Sequence, residues 1–92
     1  MLKIEFTGQF KKDYKNAIRR GCKPEDLSAV VSLLAAEQPL PAKYQDHALT
    51  NSRKYKGMRE CHIRPDWLLV YKVYSDRLVL ALIRTGTHSD LF

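Results

Sequence analysis

The sequence has no run of about 18 apolar residues, the shortest stretch that crosses a membrane as a helix. Its 92 residues begin Met-Leu-Lys-Ile-Glu-Phe, without the apolar segment and small-residue cleavage site of a signal peptide. We therefore expect no membrane partner and a cytoplasmic location. A chain of this length suffices for one modest core and is too short for two, so we predict a single domain over residues 1–92.

Cysteine and glycine are both scarce. The two cysteines, Cys22 and Cys61, match no metal-binding or redox spacing, and the four glycines form no phosphate-binding loop. A nucleophile elbow is missing as well. We therefore expect free thiols, with Cys61 in the core, and neither a metal ion nor a cofactor.

Acidic residues are outnumbered by basic ones, and the net charge is +6. The densest basic run lies between residues 53 and 59 and has Tyr55 inside it. A basic patch with an aromatic residue favours a polyanionic partner, either a nucleic acid or an acidic protein. The basic members of the run are Arg53, Lys54, Lys56 and Arg59.

The first half of the chain has the periodicity of a strand and two helices. Alternation over residues 2–6 predicts a half-buried strand, and Thr7 is placed as the N-cap of a helix over residues 8–20, with Gly21 just past its end. Pro24 begins a second apolar stripe that predicts a helix ending near Glu37. Residues 41–57 have no clear period and are expected to form a functional loop.

The second half has the pattern of three strands, over residues 59–64, 67–74 and 78–84. The predicted fold class is α+β, with the order β-α-α-β-β-β. A helical hairpin packs on one face of a mainly antiparallel twisted sheet, and the opposite face stays free for function.

The turn between the first two of these strands carries reactive side chains. His62, Arg64 and Asp66 lie within five residues of one another, and Pro65-Asp66 is a good turn sequence. Alternation on a strand puts His62 and Arg64 on one face. The hairpin is therefore expected to present an imidazole, a guanidinium and a carboxylate to one ligand.

Three blocks of the sequence resemble the YafQ-like branch of the RelE/ParE superfamily of bacterial toxins. They are YQDHAL at residues 44–49, YKGMRECHIRPDWLLVY at residues 55–71, and RTGTHSDLF at residues 84–92. The resemblance covers nearly the whole chain and implies a RelE/ParE-like fold. It also implies the toxin of a type II toxin–antitoxin pair, an endoribonuclease that cleaves mRNA in the ribosomal A site and so inhibits translation.

The same resemblance implies a set of site residues. Its histidines and its carboxylate fall on His47, His62, Asp66 and His88, which become the catalytic candidates. The substrate-binding candidates are Arg84 before the tail, the closing Phe92, Arg64 and the basic members of the run at residues 53–59.

Metal-independent cleavage of RNA needs a base for the 2′-OH and an acid for the leaving 5′-oxygen, and imidazole suits both tasks. His88 is the favoured acid, Asp66 and His47 are the candidates for the base, and His62 orients the site or shares the proton transfer. Arg84 is expected to bind a phosphate oxygen in two places. Phe92 is expected to stack on a base, whereas Trp67 fits the core better than a stacking role.

The expected partners follow from the same resemblance. They are an antitoxin encoded in the same operon, the ribosome with its 16S rRNA and mRNA, and operator DNA only through the antitoxin complex. Three alternatives stay open at this point: a gyrase-inhibiting ParE-type toxin, a non-enzymatic basic module that binds RNA or protein, and a ribonuclease that does not need the ribosome.

Overall fold

The computed structural model describes residues 1–50 and 52–92. Residue 51, inside the loop predicted at residues 41–57, lies outside the described residues. The elements follow in chain order: β1 Lys3–Phe6, α1 Gly8–Arg19, α2 Pro24–Ala35, a 3₁₀ turn Ala42–Tyr44, β2 His47–Ala48, β3 Arg59–Arg64, β4 Trp67–Tyr74, β5 Val79–Gly86 and α3 His88–Leu91.

The helix ends form where the capping residues stand. The Thr7 hydroxyl accepts a hydrogen bond from the Phe10 amide at 2.9 Å, which confirms the predicted N-cap of α1. Gly21 has a φ of 96°, and the Cys22 amide donates to the Ala17 carbonyl, as in a Schellman motif. The end of α2 corrects the predicted boundary, because Glu37 has a φ of 58° and lies outside the helix.

The sheet has the strand order β1-β5-β4-β3-β2. The pair β1–β5 is parallel, and the other three pairs are antiparallel, so the predicted mainly antiparallel sheet is confirmed. Besides the 3₁₀ turn Ala42–Tyr44, two elements were not predicted. They are β2, which contains His47, and α3, which contains His88.

The main core lies between the sheet and the helical hairpin. It includes Phe10, Val30, Cys61 and Trp67, so the predicted burial of Cys61 is confirmed. A second, smaller core covers part of the other face. There Tyr55 and Leu91 pack on β4, so the prediction that this face is free is wrong in part.

The described helices are at most 12 residues long. In the described part of the chain, no helix has the length and apolar character needed to cross a membrane.

Candidate active site

A buried carboxylate lies between two imidazoles at the β2–β3 edge of the sheet. Glu60 Oε1 is 3.6 Å from His47 Nε2 and 3.6 Å from His62 Nε2. The ring centroids of the two histidines are 6.5 Å apart, and the Glu60 side chain is only 6% exposed. This arrangement, which we call the histidine–glutamate cluster, joins two of the predicted site residues through a third that was not predicted.

A signal for Glu60 was present in the sequence. Alternation along β3 places Glu60 on the same face as His62, two residues later. The pairing of His47 with Glu60 was not visible, because it depends on β2, which is only two residues long.

Backbone carbonyls orient both imidazoles. His47 Nδ1 is 2.7 Å from the Gln45 carbonyl oxygen, and His62 Nδ1 is 3.3 Å from the Pro65 carbonyl oxygen. Because a carbonyl only accepts hydrogen bonds, each Nδ1 is the donor, and each Nε2 is left for proton exchange at Glu60. A proton taken up at either Nε2 forms an imidazolium beside a carboxylate.

The third histidine belongs to the C-terminal tail. His88 is the first residue of α3, and its ring centroid lies 5.0 Å from that of Phe92. The Phe92 ring also meets Tyr55 edge-on at 5.4 Å, yet Phe92 is 48% exposed. Phe92 therefore offers a supported aromatic face beside an imidazole.

The sheet register brings the tail and the histidine–glutamate cluster to one face. His62 pairs with Leu68, and Leu68 pairs with Gly86, two residues before His88. Neighbouring strands are about 4.8 Å apart, so the backbone at His62 in β3 and the backbone at Gly86 in β5 lie on the order of 10 Å from each other. Leu91 of α3 packs with Leu68 in the smaller core, which puts α3 on this same face.

Arg84 is bonded inside the protein. Its Nε and Nη2 donate to the two carboxylate oxygens of Asp13 at 2.8 and 3.0 Å. This contact raises the pKa of Arg84 further. Asp13 engages two of the five guanidinium N–H groups and leaves two on Nη1 and one on Nη2, so the phosphate contact of Arg84 stays a prediction.

Two other predicted cations also bind carboxylates. Arg59 Nη2 lies 3.1 Å from Asp46 Oδ2, and Arg64 Nε lies 2.9 Å from Asp26 Oδ2. The remaining basic candidates have exposed side chains, and they are Arg53, Lys54 and Lys56.

The carboxylate of Asp66 is separate from the imidazoles. His62 lines one depression of about 320 Å³ and Asp66 lines another of about 250 Å³ beside Cys22, and Arg64 lies at the border of both. Among the described residues, no hydrogen bond or ion pair joins Asp66 to a histidine. The expectation that one hairpin presents His62, Arg64 and Asp66 to one ligand is therefore wrong in part, because Arg64 borders both depressions but His62 and Asp66 line different ones.

Trp67 belongs to the core. It is 3% exposed, and its Nε1 donates to Thr85 Oγ1 at 2.8 Å. This confirms the core interpretation and removes Trp67 from the residues that could stack on a base. The described residues also contain no group of three or more His, Cys, Asp or Glu with the geometry to hold a metal ion.

A helical hairpin on one side of a five-stranded sheet, with imidazoles and a carboxylate on the other, defines a RelE-like toxin domain. The profile of the YafQ family, bacterial toxins of type II toxin–antitoxin systems, matches residues 2–92. The chain belongs to that family.

Known relatives cover almost the whole chain. The mRNA interferase toxin YafQ of Escherichia coli strain B is 47% identical over 90 residues, 97% of this chain and 94% of the relative. A metal-bound toxin from Helicobacter pylori superposes with a TM-score of 0.92 at 46% identity, with all of both chains covered. YafQ in the E. coli DinJ–YafQ complex superposes with a TM-score of 0.88 at 43% identity, covering 100% of this chain and 99% of the other.

Proposed function

We propose that this protein is the toxin of a type II pair and an endoribonuclease that cuts mRNA in the ribosomal A site, in the cytoplasm, without a metal ion. The observation that carries the proposal is the placement of Glu60 between His47 and His62, on the sheet face that also bears His88 and Phe92. The name of the E. coli relative, an mRNA interferase, gives independent support.

The reaction needs two proton transfers around one phosphodiester. A base takes the 2′-OH proton, the 2′-oxygen bonds to phosphorus, and the bond from phosphorus to the 5′-oxygen breaks. The products are a 2′,3′-cyclic phosphate and a 5′-OH, whose proton comes from the acid. Each proton transfer contributes about 10²–10⁴-fold to the rate.

The geometry favours His47 over Asp66 as the base. Nδ1 of His47 donates to the Gln45 carbonyl, so Nε2 is free to accept the proton. Glu60 stabilises the imidazolium that results. His88 protonates the leaving oxygen, and His62 shares the proton transfer through Glu60.

Substrate contacts come from the tail and the basic run. Phe92, half exposed and supported by Tyr55, stacks on a base of the codon, a contact worth about 1–3 kcal/mol. Arg53, Lys54 and Lys56 bind phosphates of 16S rRNA and mRNA. These phosphate contacts weaken as the salt concentration rises, and they carry no sequence information.

An antitoxin encoded beside the toxin is the proposed protein partner. A relative from E. coli forms a DinJ–YafQ toxin–antitoxin complex, and the charge of +6 on this chain favours an acidic partner. The operator DNA is contacted only through the complex.

The test is to induce the protein in bacteria and map RNA 5′ ends on translated and untranslated copies of one mRNA. Cuts in phase with codons on the translated copy alone are expected. On purified programmed ribosomes in Mg²⁺, sulfur in place of a non-bridging oxygen at the scissile phosphate should slow cleavage by the same factor with and without added Mn²⁺. Cuts on both copies would indicate a free ribonuclease, and rescue of the sulfur-substituted mRNA by Mn²⁺ would contradict metal independence. Growth arrest without cuts would indicate inhibition of gyrase or a binding role.

A further inference from the structure

The strand that carries His47 has few backbone contacts of its own. β2 has only two residues, it lies at the edge of the sheet, and it pairs with β3 at His47–Glu60 and Ala48–Arg59. After β2, the Leu49 amide donates to the Met58 carbonyl at 2.9 Å. Side-chain contacts must therefore hold the other end of β2 in place.

A hydrogen-bonded cluster lies at that end. Asp46, the residue before β2, accepts from Arg59 Nε at 3.3 Å and from Arg59 Nη2 at 3.1 Å. The Tyr71 hydroxyl donates to Asp46 Oδ1. Asp46 is thereby bonded to β3, the neighbour of β2, and to β4, the next strand of the sheet.

Tyr71 lies on the sheet face opposite to the histidine–glutamate cluster. It is 2% exposed and belongs to the main core under the helices. Glu60 pairs with Val70, which belongs to the smaller core on the other face. The Tyr71 hydroxyl is therefore shielded from an RNA bound at His47, and any effect of Tyr71 on cleavage must pass through the protein.

The backbone connects this cluster to the imidazole. Gln45, with a φ of 48°, is in the left-handed region that non-glycine residues adopt only when their surroundings hold them there. Its carbonyl oxygen is the group that binds His47 Nδ1 at 2.7 Å. Asp46 lies between Gln45 and His47, so its side-chain contacts fix the two residues that define the imidazole's orientation.

We infer that Tyr71 and Asp46 are positioning residues for His47: through the contacts of Asp46 with Tyr71 and Arg59, they hold β2 so that His47 Nε2 faces Glu60. The role of His47 in cleavage rests on the proposed function, whereas the positioning itself does not. Burial and the Asp46 carboxylate both raise the pKa of Tyr71, so its hydroxyl keeps its proton at neutral pH.

The test compares Tyr71→Phe with Tyr74→Phe. Both substitutions remove one hydroxyl from the same strand, but Tyr74 lies at its far end, where its ring packs on Arg77 at 4.1 Å. For Tyr71→Phe we expect cleavage at saturating programmed ribosomes to be roughly 10- to 100-fold slower, because a catalytic group is misplaced. The ribosome concentration that gives half the maximal rate should not change. Tyr74→Phe should cleave like the wild type.

A double-mutant cycle shows whether the effect passes through His47. In a His47→Gln background, Tyr71→Phe should slow cleavage by less than about twofold, because the group that it positions is already gone. Asp46→Asn, at a partly exposed site, serves as the second variant and should behave like Tyr71→Phe. An equally large loss from Tyr71→Phe in the His47→Gln background would overturn the inference.

Imidazole NMR separates this inference from the proposed function. In Tyr71→Phe and Asp46→Asn, the ring signals of His47 should move or broaden while those of His88 stay in place. Tyr74→Phe should change neither. Unchanged His47 signals would overturn the positioning role, even if the wild-type protein cleaves mRNA. If the wild-type protein cleaves no RNA, the proposed function is wrong, and the His47 signals still decide whether Tyr71 and Asp46 position that imidazole.

Discussion

At the scale of the residue, Glu60 is the most informative side chain. A carboxylate that is 6% exposed is costly unless polar partners compensate for its lost hydration. Here the partners are the imidazoles of His47 and His62, and an imidazole can both accept and donate a proton. The same contacts that make burial of Glu60 tolerable therefore connect it to proton transfer.

Replacing Glu60 by Gln keeps the shape of the side chain and removes its charge. We expect cleavage to slow by at least about 100-fold, because an imidazolium formed at His47 or His62 loses the carboxylate beside it. The measurement is single-turnover cleavage on programmed ribosomes, with circular dichroism to confirm folding. Glu5→Gln, at an exposed position on β1, is the control. Near wild-type cleavage by folded Glu60→Gln would remove Glu60 from the mechanism.

At the scale of the element, the C-terminal helix α3 is short but well anchored. Asp90 and Thr87 form a capping box, and Asp90 Oδ2 also binds Arg20 Nη1 at 2.6 Å, beyond the end of α1. Leu91 is buried, and its carbonyl accepts from the Tyr55 hydroxyl at 3.0 Å. These contacts compensate for a helix of four residues, which would not be stable alone.

Gly86 tests this anchorage. A Cβ at Gly86 would lie 2.9 Å from Asp90 Oδ2, whereas a Cβ at Gly8 would meet nothing within 4 Å. We expect Gly86→Ala to lower the free energy of unfolding by about 1–3 kcal/mol in urea titration and to slow cleavage through the displaced His88. Gly8→Ala should leave both unchanged or slightly improve stability. Equal behaviour of the two variants would show that α3 tolerates the displacement of Asp90.

The elements also show what the sequence could and could not predict. Helix caps at Thr7 and Gly21 and the long strands β3 and β4 carry strong local signals, and their positions were predicted closely. β2 and α3 are two and four residues long, too short for any periodicity, and tertiary contacts create them. The sequence therefore predicted which residues form the site, but it did not predict the neighbouring groups that orient them.

Pairing over long sequence separations was equally inaccessible. Arg84 finds Asp13 across 71 positions, and no local pattern marks either residue as the other's partner. The sequence showed Arg84 as a cation available to a phosphate. The fold places it against a buried carboxylate, which changes what it can offer a substrate.

At the scale of the whole molecule, two ion pairs join α1 and its C-cap residue, Arg20, to the C-terminal part of the chain. Asp13 binds Arg84 and the Thr85 amide in β5, and Arg20 binds Asp90 in α3. For Asp13, burial would raise the pKa, but hydrogen bonds led by that from Arg84 outweigh it and leave the pKa lowered. The Arg20 contact lowers the pKa of Asp90 to about 2.

Both shifts predict acid sensitivity of the fold. A carboxylate whose folded pKa lies below its ordinary 3.8 stabilises the protein above that pH, and the contribution is lost as the pH falls from about 4 towards 2. These two groups should therefore leave the free energy of unfolding, measured in urea, constant from pH 7 to about 5. Below that pH their protonation should make it decline. A protein equally stable at pH 2 and pH 5 would contradict the role of both pairs.

Asp13→Asn isolates the contribution of the buried pair. It should cost about 2–3 kcal/mol at pH 7, because it leaves the charge of a largely buried Arg84 without its counterion. The difference from wild type should shrink as the pH falls below 4, since protonation makes Asp13 neutral in the wild type too. Asp76→Asn, on the exposed β4–β5 turn, should follow the wild-type curve throughout. If the stability difference between Asp13→Asn and the wild type stays undiminished at pH 2, the loss comes from altered packing around the asparagine and not from charge. The Asp13–Arg84 ion pair would then not be the contact that joins α1 to β5.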